Sequence, residues 1–199
     1  MPVMKEKSKP ATEGDILWEF LKKNYPSSLK LRMTRKNMAK ILKIIQESDP
    51  VLRKKAEPVE NPKNPEIQRL VSDMIATMKK ANGVGLAAPQ VGKSLRIFVI
   101  NIAKEKQEEK IYVFINPEIK DVSLDKSPFE EGCLSVEKTW GPVVRPKKLT
   151  IKALDENGKP IKIRAKGLLA RVIQHEMDHL NGTLFIDKAE KLYKIEEKK

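Results

Sequence analysis

Gly167-Leu168-Leu169-Ala170-Arg171-Val172-Ile173-Gln174-His175-Glu176-Met177-Asp178-His179-Leu180 is the stretch on which the fold turns. It holds both histidines of a 199-residue chain, spaced i, i+4 with an acid next to the first. Leu168, Leu169, Val172 and Ile173 begin an apolar stripe that continues through His175, Glu176, His179 and Leu180. The spacing therefore predicts a helix with both imidazoles on one core-facing side. Asn181-Gly182 supplies the stop, because glycine enters the left-handed region without a Cβ penalty. Burying two imidazoles and a carboxylate without partners would cost on the order of several kcal/mol. A divalent cation held by both rings, with the glutamate able to take a proton from a nearby water, removes that conflict. A solvated amphipathic helix with two incidental histidines is the alternative for the five residues taken alone.

Two ligands do not make a stable metal site. The metzincin pattern needs a further histidine at position 185 after a glycine at 182; Gly182 matches, but position 185 is Phe185. Thermolysin-like proteases take a glutamate from a later helix, yet only twenty residues follow His179, and Asp187, Glu190, Glu196 and Glu197 lie near the terminus. The single cysteine, Cys133, stands in Glu130-Glu131-Gly132-Cys133-Leu134-Ser135. A thiolate is a strong ligand, and the glycine beside it lets the backbone come close to whatever the sulfur binds. Alone, such a cysteine reads as a small buried hydrophobe.

The remaining elements follow from local signals. Asn64-Pro65 is a helix start, with Ile67, Leu70, Val71, Met74, Ile75 and Met78 as its buried stripe and Asn82-Gly83 as its end. Gly83-Val84-Gly85-Leu86-Ala87-Ala88-Pro89-Gln90 suits a loop whose backbone approaches a ligand, and it lacks the ending of a phosphate loop. Arg96 to Ile102 and Ile111 to Ile115 are β-rich, and the charged run from Lys104 to Lys110 reads as a solvated turn. Lys148 to Leu154 and Ile161 to Ala165 alternate around Asn157-Gly158 as a hairpin. The order predicts an α+β fold of mostly antiparallel strands packed around the long helix that carries the two histidines.

Length suits one domain with a real core, and no apolar run approaches the twenty or so residues of a membrane span. One cysteine excludes an intramolecular disulfide framework and fits a reducing compartment. The formal charge of +13 favours anionic partners without specifying one. Residues 1–37 carry nine Lys/Arg against four Asp/Glu and read as an appendage, with Asp15 to Lys23 as a short amphipathic helix. Their acids speak against an organellar targeting segment without closing that route. Met38 would make an ordinary start, so the appendage is either a genuine extension or an upstream start assignment. The expected units are 1–37, a catalytic domain at 38–187 and a basic tail at 188–199.

Glu131-Gly132-Cys133-Leu134-Ser135, Gln174-His175-Glu176-Met177-Asp178-His179 and Gly83 to Gln90 together resemble, in order, the three signature motifs of peptide deformylases. The resemblance runs from about Met38 to about Asp187, and Ile41 to Arg53 is similar to the family's opening segment. It implies metal ligation by Cys133, His175 and His179, with a fourth position for water. A cation so held can lower the pKa of its water from 15.7 to about 7. Glu176 then takes the proton and returns it to the leaving amine. Gln90 and the Leu134 N–H would stabilise the oxyanion, beside Gly85. The implied substrate is an N-formyl-methionyl nascent peptide, cleaved to formate and a free amino terminus. Its methionine would enter a slot of Val84, Phe129, Leu168 and Val172, while Val84 and Gly132 pair with an extended backbone. Arg171 departs from an apolar position and is expected to snorkel at the rim.

The thiolate and two imidazoles admit Zn²⁺, Ni²⁺, Co²⁺ or Fe²⁺, and the resemblance implies Fe²⁺. It also implies a bacterial-type cytoplasmic enzyme of N-terminal methionine processing. Transient ribosome contact through the basic surface is expected, with no specific DNA and no membrane. A metalloprotease and a non-catalytic ribosome-associated protein are the rivals.

Overall fold

The computed structural model describes residues 39–102 and 109–194. The chain divides into Met1–Ala39 and Lys40–Lys199, and every element below belongs to the second unit. The amphipathic segment expected at Asp15 to Lys23 and most of the charged run from Lys104 lie outside the described residues.

Helix α1, Pro65–Lys80, begins where the Asn-Pro pair predicts. The Asn64 side chain accepts from the Glu66 N–H at 2.9 Å, and Pro65, with no N–H to satisfy, takes the first turn. Leu70, Val71, Met74, Ile75 and Met78 are buried. Asn82 then turns left-handed, φ 53°, and the Gly83 N–H donates to the Met78 carbonyl at 2.9 Å.

Strands β1 (Gly85–Ala87), β2 (Ile97–Ile102), β3 (Lys110–Val122), β6 (Lys148–Leu154) and β7 (Pro160–Lys166) form one sheet in the order β1-β2-β3-β6-β7. Strands β4 (Lys126–Cys133), β5 (Val136–Pro146) and β8 (Tyr193–Lys194) form a second in the order β4-β5-β8. All pairings between these strands are antiparallel.

Four stretches depart from expectation. The stretch read as a loop at Gly83 to Gln90 contains β1 and a 3-10 turn, Ala88–Val91. Leu86 and Ala87 are fully buried, where unpaired backbone groups would be costly; Leu86 pairs with Val99 of β2, and the Ala87 N–H donates to the Gln90 side chain at 2.8 Å. Strand β3 runs on through Pro117 because its register against β6 shifts between Ile115 and Glu118 and again between Ile119 and Asp121. The β4–β5 pair was hidden by Pro128, Pro142, Pro146, Gly132 and Gly141, which interrupt the alternation. Gly132 is required there: a Cβ would lie 2.8 Å from the Trp140 ring. Part of the stretch read as a tail, Tyr193-Lys194, pairs with Trp140 and Thr139, and the Tyr193 hydroxyl donates to Glu130 at 2.7 Å.

Helix α2, Gly167–Leu180, packs Ala170, Val172, Ile173, Met177 and Leu180 into a core with Phe98, Ile100, Phe114, Leu149 and Ile151. Leu168, read as part of the buried stripe, is 50% exposed at the helix start. The helix ends at Asn181, and Gly182 turns with φ 75° close to the Arg53 carbonyl. A smaller cluster of Leu52, Val136, Val143, Leu184 and Phe185 lies under the β4–β5 pair. Among the described residues no helix is long and apolar enough to cross a membrane.

Candidate metal centre and adjoining cavity

Cys133 closes β4 just before the Leu134-Ser135 turn into β5, and His175 and His179 project from successive turns of α2. The Cys133 Sγ lies 3.3 Å from His179 Nε2, and the three candidate ligand atoms all fall within 4.8 Å of one another. A tetrahedral cation with M–S about 2.3 Å and M–N about 2.0–2.1 Å sets sulfur and nitrogen roughly 3.5 Å apart. The donor set and its spacing fit a divalent cation. The side from which a metzincin would bring its third histidine holds Phe185, buried, with its ring 6.2 Å from that of His175.

Behind His175 lies an ionic group that was not singled out in the sequence. Glu131 Oε2 accepts from His175 Nδ1 at 3.0 Å and from Arg145 Nη2 at 2.8 Å; Oε1 accepts from Arg145 Nε at 2.7 Å and Arg171 Nη1 at 2.8 Å. Arg145 Nη1 also donates to Asp178 at 2.7 Å, and Lys188 reaches the same carboxylate at 2.6 Å. Glu131 is only 6% exposed. Burial alone would raise its pKa, but the hydrogen bonds and charges of Arg145 and His175 outweigh burial and hold it far below the usual carboxylate range. A carboxylate on the far nitrogen fixes the ring and leaves its other nitrogen for a cation. The acid beside the glycine in Glu131-Gly132-Cys133 and the Asp178 between the histidines were the available signals.

His175 has its pKa raised to about 10: burial lowers it, but hydrogen bonds to Cys133 and Glu131 outweigh burial. His179 is held well below the usual value by burial and by the charges of His175 and Arg145. Its Nδ1 is buried without a hydrogen-bond partner among the described residues. Glu176, also buried, has Oε2 without a hydrogen-bond partner among the described residues, and burial pushes its pKa up to about 7 against the opposing charges of His175 and Arg145. Gly85 lies against it so closely that a Cβ would overlap Glu176 Oε1 and approach Val172 Cγ1 at 3.0 Å. Gln90 is anchored by the Ala87 N–H donating to its Oε1 at 2.8 Å, and its Nε2 donates to Ser135 Oγ at 3.2 Å and toward Cys133 Sγ at 3.5 Å.

A cavity of about 380 Å³ opens over these groups. Val84, Gly85, Gln90, Phe129, Gly132, Cys133, Leu134, Leu168, Arg171, Val172, His175 and Glu176 all line it, while His179 lies off its wall. A larger cavity, about 730 Å³, opens on the Asp178 side of α2 and is lined by none of the three candidate ligands. Arg171 does not snorkel. Its guanidinium donates to Glu131, to the Val143 carbonyl at 2.9 Å and to the Ser127 carbonyl at 2.8 Å, and sits 5.3 Å from the Phe129 ring centre. Three acceptors and an aromatic face hold it better than water would.

Residues 41–194 match the sequence model of polypeptide deformylases. The chain belongs to that family. A peptide deformylase from Natranaerobius thermophilus is 47% identical over 157 residues, which is 79% of this chain and 97% of the relative. One from Mesorhizobium japonicum is 48% identical over 144 residues, 72% and 81% of the two chains. The crystal structure of a peptide deformylase from Legionella pneumophila superposes with a TM-score of 0.70 at 50% identity, covering 75% of this chain and 86% of the other. That of the Ehrlichia chaffeensis peptide deformylase in complex with actinonin gives 0.73 at 42%, covering 76% and 90%. The chain is thus a hydrolase of a metal-dependent deformylase family, with an α+β fold like theirs.

Proposed function

We propose that the chain removes the formyl group from the N-terminal formyl-methionine of nascent polypeptides, releasing formate and a free amino terminus. The observation that carries this reading is the buried Glu176 carboxylate, its Oε2 without a hydrogen-bond partner among the described residues, beside a cluster of one sulfur and two imidazoles. Cys133, His175 and His179 would hold a divalent cation, Fe²⁺ by family, and the bound cation supplies the acidity that makes water a nucleophile near neutral pH. Glu176 accepts the water's proton and delivers it to the amine nitrogen as the C–N bond breaks. The Gln90 amide, held by Ala87, and the Leu134 N–H donate to the formyl oxygen as it gains charge; losing one such donor costs roughly 100- to 1,000-fold in rate. Val84, Phe129, Leu168 and Val172 receive the methionine side chain, with Arg171 behind Phe129, and the Val84 and Gly132 backbones pair with the peptide. The catalytic unit begins near Met38, residues 1–37 being an appendage. The basic surface supports brief ribosome contact in the cytoplasm.

The test is an assay of protein loaded with one defined metal at a time, prepared without oxygen for Fe²⁺, on a formyl-methionyl peptide and on an internally cleavable peptide. Formate release without internal cleavage is expected, and more activity from anaerobic than aerobic preparations. Internal cleavage, or no formate with any of the four metals, rejects the reading.

Two further results are expected. Gly85→Ala pushes Glu176 aside while leaving the three ligands in place, and a displacement near 1 Å at a reacting group costs about 100-fold. kcat/KM should fall by about that factor at unchanged metal content. Cation uptake at pH 7 should release about one proton or more per ion, because His175 carries its proton to about pH 10 and a cation needs the neutral ring. An indicator dye in weak buffer reads this directly.

A further inference from the structure

Arg171 stands one turn before His175 on the same face of α2. Its fork holds three acceptors on the other sheet: the Ser127 carbonyl, the Val143 carbonyl and Glu131 Oε1, each at 2.8–2.9 Å. Its flat face lies against Phe129, which is 57% exposed at the cavity mouth. The other oxygen of Glu131 accepts from His175 Nδ1 at 3.0 Å. One buried carboxylate therefore joins the wall of the apolar slot to an imidazole of the metal cluster.

We infer that Arg171 is a positioning residue that couples the filling of the slot to the aim of His175, through the Glu131 carboxylate they share. This rests on the reading of the cavity as the deformylase site. A side chain seated in the slot packs on Phe129 and shields the guanidinium from water, which strengthens its hydrogen bonds to both carbonyls and to Glu131. Glu131 is gripped side-on by Arg145 as well, so it cannot rotate without losing bonds to both arginines. A Glu131 that cannot rotate holds the His175 ring in one orientation, and a ring so held releases a cation more slowly. By linkage, the cation must in turn tighten the slot by the same factor.

Charge alone predicts something different. Arg171 is a cation near a cation, so on that ground its removal would hold the metal more tightly. Arg171→Lys separates the two effects, because lysine keeps the charge but lacks both the fork and the stacking face.

The experiment loads wild type and Arg171→Lys with one equivalent of Co²⁺ or Zn²⁺ and follows release to excess chelator, with and without the tripeptide Met-Ala-Ser. In wild type the tripeptide should slow release about fivefold, a coupling of ordinary size. In Arg171→Lys, release without peptide should be about fivefold faster, the peptide effect should shrink below about twofold, and KM for a formyl-methionyl peptide should rise by about the same fivefold. Phe129→Ala, at an exposed strand position, removes only the stacking partner and should also weaken the peptide effect. Release rates and peptide effects equal in all three proteins, or slower release from Arg171→Lys, overturn the coupling. A lower melting temperature with unchanged release and KM overturns it too, since that is the mark of a purely structural tie. Wild type that takes up no cation or yields no formate defeats the deformylase reading itself; wild type that does both beside an indistinguishable Arg171→Lys defeats only the coupling.

Discussion

Glu176→Ala is expected to keep the fold and the metal while lowering turnover of a formyl-methionyl peptide by about 10²- to 10⁴-fold, the range that a positioned acid–base group supplies. The fold survives because Glu176 Oε2 has no partner among the described residues, so the deletion there strands no donor. The metal should survive because the group that could hold it is Cys133, His175 and His179, with Glu176 outside it. Steady-state kinetics beside elemental analysis checks both halves, and an unchanged rate at full metal content contradicts the role given to this residue.

The same side chain makes a prediction about pH. Its pKa is raised to about 7, chiefly by burial, above the ordinary carboxylate value. The folded protein therefore favours the protonated form, and the associated stability is present below the unfolded pKa and lost as pH rises through about 7. Glu176→Gln is a neutral isostere and should remove this loss. Melting of protein stripped of metal, followed from pH 5 to 8, should fall with pH in wild type more than in Glu176→Gln.

Much of this arrangement was legible in the chain because its signals are local. The Asn64-Pro65 cap, the stripe from Ile67 to Met78 and the hairpin about Asn157-Gly158 each lie within a few residues of the structure they specify. The i, i+4 histidines needed only a helix to bring them to one face. Cys133 is different. Forty-six residues separate it from His179, and only the likeness of three motifs to those of deformylases brought the two together in advance. The ionic group was less legible still, since Glu131 meets partners 14, 40 and 44 residues away, and no periodicity encodes such pairings. Arg171 departs from the expected snorkelling for the same reason: a charged side chain near an apolar slot points to water unless acceptors wait for it, and Ser127 and Val143 supply theirs from strands that the prolines and glycines of β4 and β5 disguise.

Glu131→Gln should therefore be among the most damaging single changes outside the three candidate ligands. Glutamine matches the shape but brings no charge to Arg145, whose own pKa is raised because Glu131 and Asp178 outweigh its burial. Removing one partner of a buried ion pair typically destabilises by about 3–5 kcal/mol. For a unit of this size that corresponds to a drop of roughly 10 °C in melting temperature. The amide can present its oxygen to His175 or to the arginines but not serve all of them as well as a carboxylate. Loss of a carboxylate behind a metal-binding histidine costs about 10- to 100-fold in metal affinity, so chelator competition should show a deficit of that order. The acid limb supplies a further signature. Because Glu131 has its pKa depressed in the fold, its stabilisation is present above the ordinary carboxylate pKa and lost as pH falls toward the folded value. Wild type should lose stability on acidification below about pH 4 more steeply than Glu131→Gln. Equal acid sensitivity would mean that Arg145 and His175 do not hold this carboxylate in its charged form, and that the ring of His175 is oriented by something else.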